Sequence, residues 1–178
     1  ERLLSSLKAA FSYHVPEDIR LLDSDDSNHV EWFNADTNTG KDRDIQWKYW
    51  ERFQYYLSGK GWTPDVIHSL DTTSSTVLAK LEDPKRSGPW YIRGMVVGSV
   101  QSGKTANYTA LINKAVDAGY ELIVILTGIQ NSLRQQTQER IDEEFVGESR
   151  FLIDREVRVK KVGVGLIADS EHGATSAT

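Results

Sequence analysis

The residues best equipped to do chemistry are Gly98-Ser99-Val100-Gln101-Ser102-Gly103-Lys104-Thr105, which fit Gly-x-x-x-x-Gly-Lys-[Ser/Thr] at every defined position. Glycine at both ends lets the backbone curl until successive amide hydrogens face inward on an anion. A helix starting there adds the positive end of its dipole. Lys104 brings a cation to the β- and γ-phosphates, and the Thr105 hydroxyl can ligate magnesium. The pattern therefore points to binding of ATP with Mg2+, the phosphates resting on the amides of Ser102, Gly103, Lys104 and Thr105. Average residue usage gives roughly one chance match per 200 chains of this length. The pattern also falls between an expected strand and an expected helix, where a phosphate loop belongs.

The flanking elements must hold that loop. Tyr91 to Val97 is a strand-like apolar run leading into Gly98. The spacing of Tyr108, Leu111, Ile112 and Ala115 predicts a helix over Lys104–Ala118, with Gly119 as its left-handed stop. Leu122 to Leu126 reads as a strand buried on both faces. Asn131 to Phe145 reads as a helix with Leu133, Ile141 and Phe145 on one side, and Val157 to Val164 as a third strand. Strand, helix, strand, helix, strand is the order of a parallel α/β sheet. Ligands gather at the carboxyl ends of such strands, so the loop from Gly128 to Gln136 should open on the same rim as Gly98–Thr105, with Leu133 anchoring its helix to the sheet. A plainer role for Asn131 or Ser132 is to cap that helix.

Residues 1–88 read as a small helical module, and 89–178 as the phosphate-loop domain. Leu3, Leu4, Leu7 and Phe11 have helical spacing; after Pro16 a second turn carries Ile19, Leu21 and Leu22. Asp23 to Gly40 reads as a polar loop; its acidic cluster lacks the glycine and terminal glutamate of a calcium loop. Tyr49, Trp50, Phe53, Tyr56 and Leu57 share one helical face, suited to a buried core or, less simply, to stacking on bases. Gly59 to Pro64 stops that helix, and a shorter one is expected around Thr76 to Leu81.

Composition bounds the rest. The chain has 178 residues, 21 basic and 26 acidic, for a net charge of −5. Residues 1–88 hold 11 basic and 15 acidic side chains (−4), and residues 89–178 hold 10 and 11 (−1). Neither half has the basic excess of a domain that grips nucleic acid unaided. With no cysteine there is neither a disulfide nor a thiolate zinc site. No apolar run approaches the length of a bilayer span, and no signal-peptide layout opens the chain, so a cytoplasmic protein without membrane partners is expected. The first residue, Glu1, is not an initiator methionine, and a longer parent chain is expected.

The strand, turn and helix around Gly128 to Thr137, with Leu133-x-x-Gln136, resemble the second conserved block of superfamily-two helicases, where the turn touches the nucleic-acid backbone. Those proteins usually carry proline where this chain has Gly128 or Ile129, and glycine where it has Ser102. A denser resemblance is to the Z-one domain family, helicase-like P-loop ATPases of bacterial restriction and phage-defence loci, often described as endonucleases. It rests on the run from Gly94 to Ala106, on Ala118-Gly119-Tyr120, and on Gly128 to Ile141, and covers most of residues 44–145. The aromatic helix and Gly61-Trp62 match its N-terminal extension. The resemblance implies a partial P-loop NTPase of the RecA-like, superfamily-two type preceded by a helical module. It implies Lys104 and Thr105 as catalytic phosphate and magnesium ligands, and a nucleotide cradle of Gly98, Gln101, Ser102, Gly103, Lys104, Thr105 and Ala106. Gln130, Asn131, Arg134 and Gln136 would meet nucleic acid. DNA and a nuclease or other defence subunit are the implied partners of the full-length protein.

A hydrolysing P-loop enzyme also needs an acidic pair at a strand end. Asp142-Glu143-Glu144 follows Arg140-Ile141 on an expected helix and reads as a solvated face, so the acidic strand is expected beyond this chain. Ser176-Ala177-Thr178 matches a three-residue helicase block by composition alone, no Glu-x-Lys nuclease core occurs, and the four histidines are scattered. The leading expectation is the ATP-binding part of a helicase-like motor subunit. The alternatives are a nucleotide-binding switch or assembly module with little turnover, and a small-molecule phosphotransferase.

Overall fold

The computed structural model describes residues 29–97, 103–153 and 156–167. The expected helices near Leu3 and Ile19, the Asp23 cluster, Gly98–Ser102 and Ser176–Thr178 lie outside them.

The chain enters through a two-residue ribbon, β1 (Phe33–Asn34) against β2 (Thr39–Gly40), antiparallel with Phe33 opposite Gly40. The Asn34 side chain closes its turn, Oδ1 accepting from the amides of Asp36 at 2.9 Å and Thr37 at 3.3 Å. The expected loop thus contributes core: Trp32 and Phe33 are buried. Trp32 can be buried because its one polar atom, Nε1, donates to the Leu81 carbonyl at 2.7 Å.

Helix α1 (Lys48–Gly59) buries Trp50, Phe53 and Leu57, with Tyr49 and Tyr56 at the margins of the stripe. Its aromatic face is core. Helix α2 (Pro64–Lys80) is far longer than the short helix expected near Thr76. Thr63 stands extended before it and Pro64 takes its first turn, so the proline opens this helix. Helix α3 (Lys104–Ala118) has the expected bounds, and Gly119 ends it at φ 103°, a conformation that only glycine adopts freely.

Helix α4 (Asn131–Ile141) stops earlier than Phe145, the chain passing into a π-helical turn, Asp142–Val146. Val157 to Val164 was expected as a strand of a parallel sheet. Instead β3 (Glu148–Ile153) and β4 (Glu156–Lys161) form an antiparallel hairpin, Glu148 opposite Lys161. The strand ends there because Gly163-Val-Gly-Leu166 coils into a 3-10 turn against the π-helical turn. A Cβ at Gly163 would lie 1.9 Å from the Glu143 carbonyl oxygen, so only glycine fits this contact.

Two apolar clusters hold α1, α2 and α3 together. Trp50, Phe53, Leu57, Ile67, Leu70 and Ala110 form one; Trp32, Phe33, Ile45, Leu78, Ala115 and Ala118 form the other. Helix α3 enters both, so the helix after the phosphate loop packs directly on residues from before Gly88. Residues 91–97 and 121–127 join no strand ladder among the described residues, and Met95, Val97, Leu122 and Leu126 are exposed. The sheets described are the two antiparallel pairs. No helix among the described residues is long and apolar enough to cross a membrane.

Candidate functional site

The phosphate motif is described from Gly103 onward. Gly103 stands at the start of α3 in the left-handed region, φ 75° and ψ 12°, and its carbonyl accepts from the Asn107 amide at 3.1 Å. Among the described residues no side chain caps this helix start, and its first turn holds no acidic residue. The first-turn amides therefore keep the unpaired character common to helix starts. Lys104 is exposed; Thr105 and Ala106 are half-buried. One turn further, the buried Thr109 hydroxyl donates to the Thr105 carbonyl at 3.0 Å, and Ala106 packs on the α1–α2 cluster that Trp62 also touches. Gly98, Gln101 and Ser102 lie outside the described residues.

Asp142, Glu143 and Glu144 were expected on a solvated helix face. Glu143 is exposed as expected, whereas Asp142 and Glu144 are half-buried where the π-helical turn packs against α1 and α3. Burial pushes the Glu144 carboxyl above its ordinary range, against the opposing pull of Arg140 and the Thr109 hydroxyl. Glu143 accepts from the Tyr56 hydroxyl at 3.3 Å, and burial followed by this acidic neighbour pushes Tyr56 up to about 12. Arg52, itself buried, donates through Nη2 to the Phe145 carbonyl. The Asn113 amide donates to the Thr109 carbonyl at 2.9 Å and reaches the Glu144 carbonyl at 3.5 Å. These acids precede β3 instead of ending a strand, so the turn fastens helices together.

The other sequence-derived surface, Gln130 to Gln136, is brought to α3 mainly through that turn. Gln130, Asn131, Arg134 and Gln136 are all exposed. Leu133, expected as the anchor of α4, is 47% exposed and folds back against Gly128, because no sheet is present beneath it among the described residues. The capping alternative fails as well: Gln130 occupies the N-cap, and no side chain caps α4.

A cluster that sequence spacing did not single out lies deeper. Lys114 donates to Asp71 and to the Ser75 hydroxyl, and reaches the Asp71 carbonyl at 2.9 Å. The Ser75 hydroxyl in turn donates to the Asn38 side chain. Burial lowers the Lys114 pKa while Asp71 opposes the shift. A lysine beside a serine hydroxyl is the composition of a nucleophile and its base. Here both residues are fully buried, so no substrate reaches them and the cluster is structural. Nothing local in the sequence distinguishes Lys114 from a solvated helical lysine.

Compared with protein-family models, with curated proteins and with solved structures, the chain matches none.

Proposed function

We propose that this chain binds ATP with Mg2+ through Gly98–Thr105 and is the nucleotide-binding part of a helicase-like P-loop ATPase. The observation that carries the reading is the left-handed Gly103 opening an uncapped, acid-free helix start on Lys104 and Thr105. Those features suit a phosphate chain. Lys104 would meet the β- and γ-phosphates and Thr105 would hold the magnesium, which supplies charge neutralisation there when bound. A second observation supports a P-loop α/β sheet. Trp90 and Tyr120, which immediately precede the two apolar runs, meet edge to face at 6.4 Å. Residues 91–97 and 121–127 thus leave from one point on either side of α3, as neighbouring parallel strands joined by a helix would. The exposed side chains of Met95, Val97, Leu122 and Leu126 are then the faces that a completed sheet would cover.

The role in DNA restriction or phage defence, with DNA and a nuclease subunit as partners, rests on the sequence resemblance. A switch with little turnover is the second reading. It is favoured by the position of Asp142–Glu144, whose acids precede a strand and brace helices instead of ending a strand. Thermal melting with ATP and magnesium tests binding. A midpoint that rises with nucleotide concentration, as linkage requires, supports the site. A midpoint unmoved at millimolar nucleotide refutes it.

A further inference from the structure

The segment from Lys85 to Arg93 interleaves basic and aromatic residues, Lys85-Arg86-Ser-Gly-Pro-Trp90-Tyr91-Ile-Arg93, and presents its rings to solvent. Trp90 is 42% and Tyr91 68% exposed, large values for rings of this size in a chain whose other described tryptophans are buried or half-buried. The acids nearby are already engaged. Asp83 pairs with Arg43 at 2.8 Å, and the buried Glu82 pairs with Arg86 at 2.5 Å. Lys85 and Arg93 form no ion pair among the described residues, which leaves two cations beside the rings in an otherwise acidic chain. The Arg93 guanidinium lies 4.8 Å from the Tyr91 ring centre, covering one face of that ring.

A cleft of about 380 Å3 opens beside these rings, with His29, Glu82, Arg86, Trp90, Tyr91 and Ile92 along it. Its floor is fixed from three directions. His29 and Trp32 both bond the Leu81 carbonyl, Tyr120 donates to the Glu82 carbonyl, and Trp90 rests edge-on against Tyr120. Exposed rings at the rim of such a cleft can stack a planar heterocycle.

We propose that Trp90 and Tyr91, flanked by Lys85, Arg86 and Arg93, form a stacking platform for single-stranded nucleic acid. The rings take successive bases, whose π-faces are alike in every sequence, and the cations take the backbone phosphates. The platform shares no residue with the phosphate motif, six residues separating Tyr91 from Gly98. It also stands independently of nucleotide binding there.

The test is fluorescence anisotropy of a labelled dT12 strand with the full chain, alongside a duplex of equal length, at several salt concentrations. Binding of the single strand in preference to the duplex is expected. Tyr91→Ala should weaken it about tenfold or more, with Tyr91→Phe restoring it. Arg93→Ala should lower the salt slope by about 0.7. Both side chains are exposed, and melting curves establish that the variants fold. Absence of dT12 binding, tighter binding of the duplex, or affinity unchanged in both alanine variants would each overturn the platform.

Discussion

The Lys114 ammonium lies 4.6 Å from the centre of the Trp50 ring, fully buried, with Asp71 and Ser75 as its hydrogen-bond partners. This contact joins α3 to α1, and the Asp71 pair joins α3 to α2. The helix that begins at Lys104 is thereby fixed against both of its neighbours. A buried charge is tolerated here because its protons are taken by Asp71, the Asp71 carbonyl and Ser75, with the Trp50 ring face completing the site.

Removing the charge should therefore hurt. Lys114→Ala leaves a cavity and strips Asp71 of its charged partner, with an expected cost of about 3–5 kcal/mol in urea unfolding. Lys114→Met keeps the stem and should cost less, because Asp71 retains some access to water. Equal stability of wild type and Lys114→Ala would show that the pair contributes nothing.

Asp117 gives a pH dependence. Its carboxylate accepts the amides of Tyr49 at 3.1 Å and Trp50 at 2.9 Å, capping α1 from a neighbouring helix. Burial outweighs these bonds and raises its pKa from 3.8 to about 6. The folded chain then holds a proton that the unfolded chain releases between those values, so this group's contribution to stability falls as pH rises from about 4 to about 6. Asp117→Asn should remove that slope. Melting curves of both proteins across this range check it; parallel pH profiles would contradict it. Asp117→Ala, losing the cap, should cost about 1 kcal/mol.

Arg134 is exposed near the start of α4 and caps nothing. If the loop contacts a nucleic-acid backbone in the intact protein, Arg134→Ala should weaken nucleic-acid-stimulated ATP hydrolysis and lower the salt slope by about one unit. Basal nucleotide binding should stay unchanged. Wild-type stimulation with an unchanged slope would exclude the contact.

Turnover by residues 1–178 alone should remain near background even where ATP binds, because Asp142, Glu143 and Glu144 precede β3 and brace helices. Robust hydrolysis lost in Glu144→Gln would show that this turn carries the catalytic carboxylate.

Helix α3 was legible to the residue because glycines bracket it, and the aromatic stripe of α1 because large rings at helical spacing have few alternatives to a core. Helix α2 was hidden by Thr72-Thr73-Ser74-Ser75-Thr76, which dilutes the apolar period. In place three of these hydroxyls turn back on their own helix, Thr72 to the His68 carbonyl at 3.1 Å, Ser74 to the Leu70 carbonyl at 2.8 Å and Thr76 to the Thr72 carbonyl at 2.8 Å. Trp32 and Phe33 were masked by polar neighbours, and the burial of Trp32 depends on the distant Leu81 carbonyl. The β3–β4 pairing is non-local in the same sense: alternation marked a strand but not its partner. Of the candidate site, the phosphate motif was visible whole, whereas the burial of Glu144 against α3 arises from a π-helical turn that local spacing does not announce.

In the proposed site Lys104 and Thr105 hold the phosphates and magnesium of ATP. Calorimetric titration of ATP with magnesium into wild type, Lys104→Ala and Thr105→Ala tests it most directly. Wild type should bind at a single site, Lys104→Ala should lose affinity by orders of magnitude with an unaltered melting curve, and the Thr105→Ala defect should disappear when magnesium is withheld. Equal affinity in wild type and Lys104→Ala would contradict it.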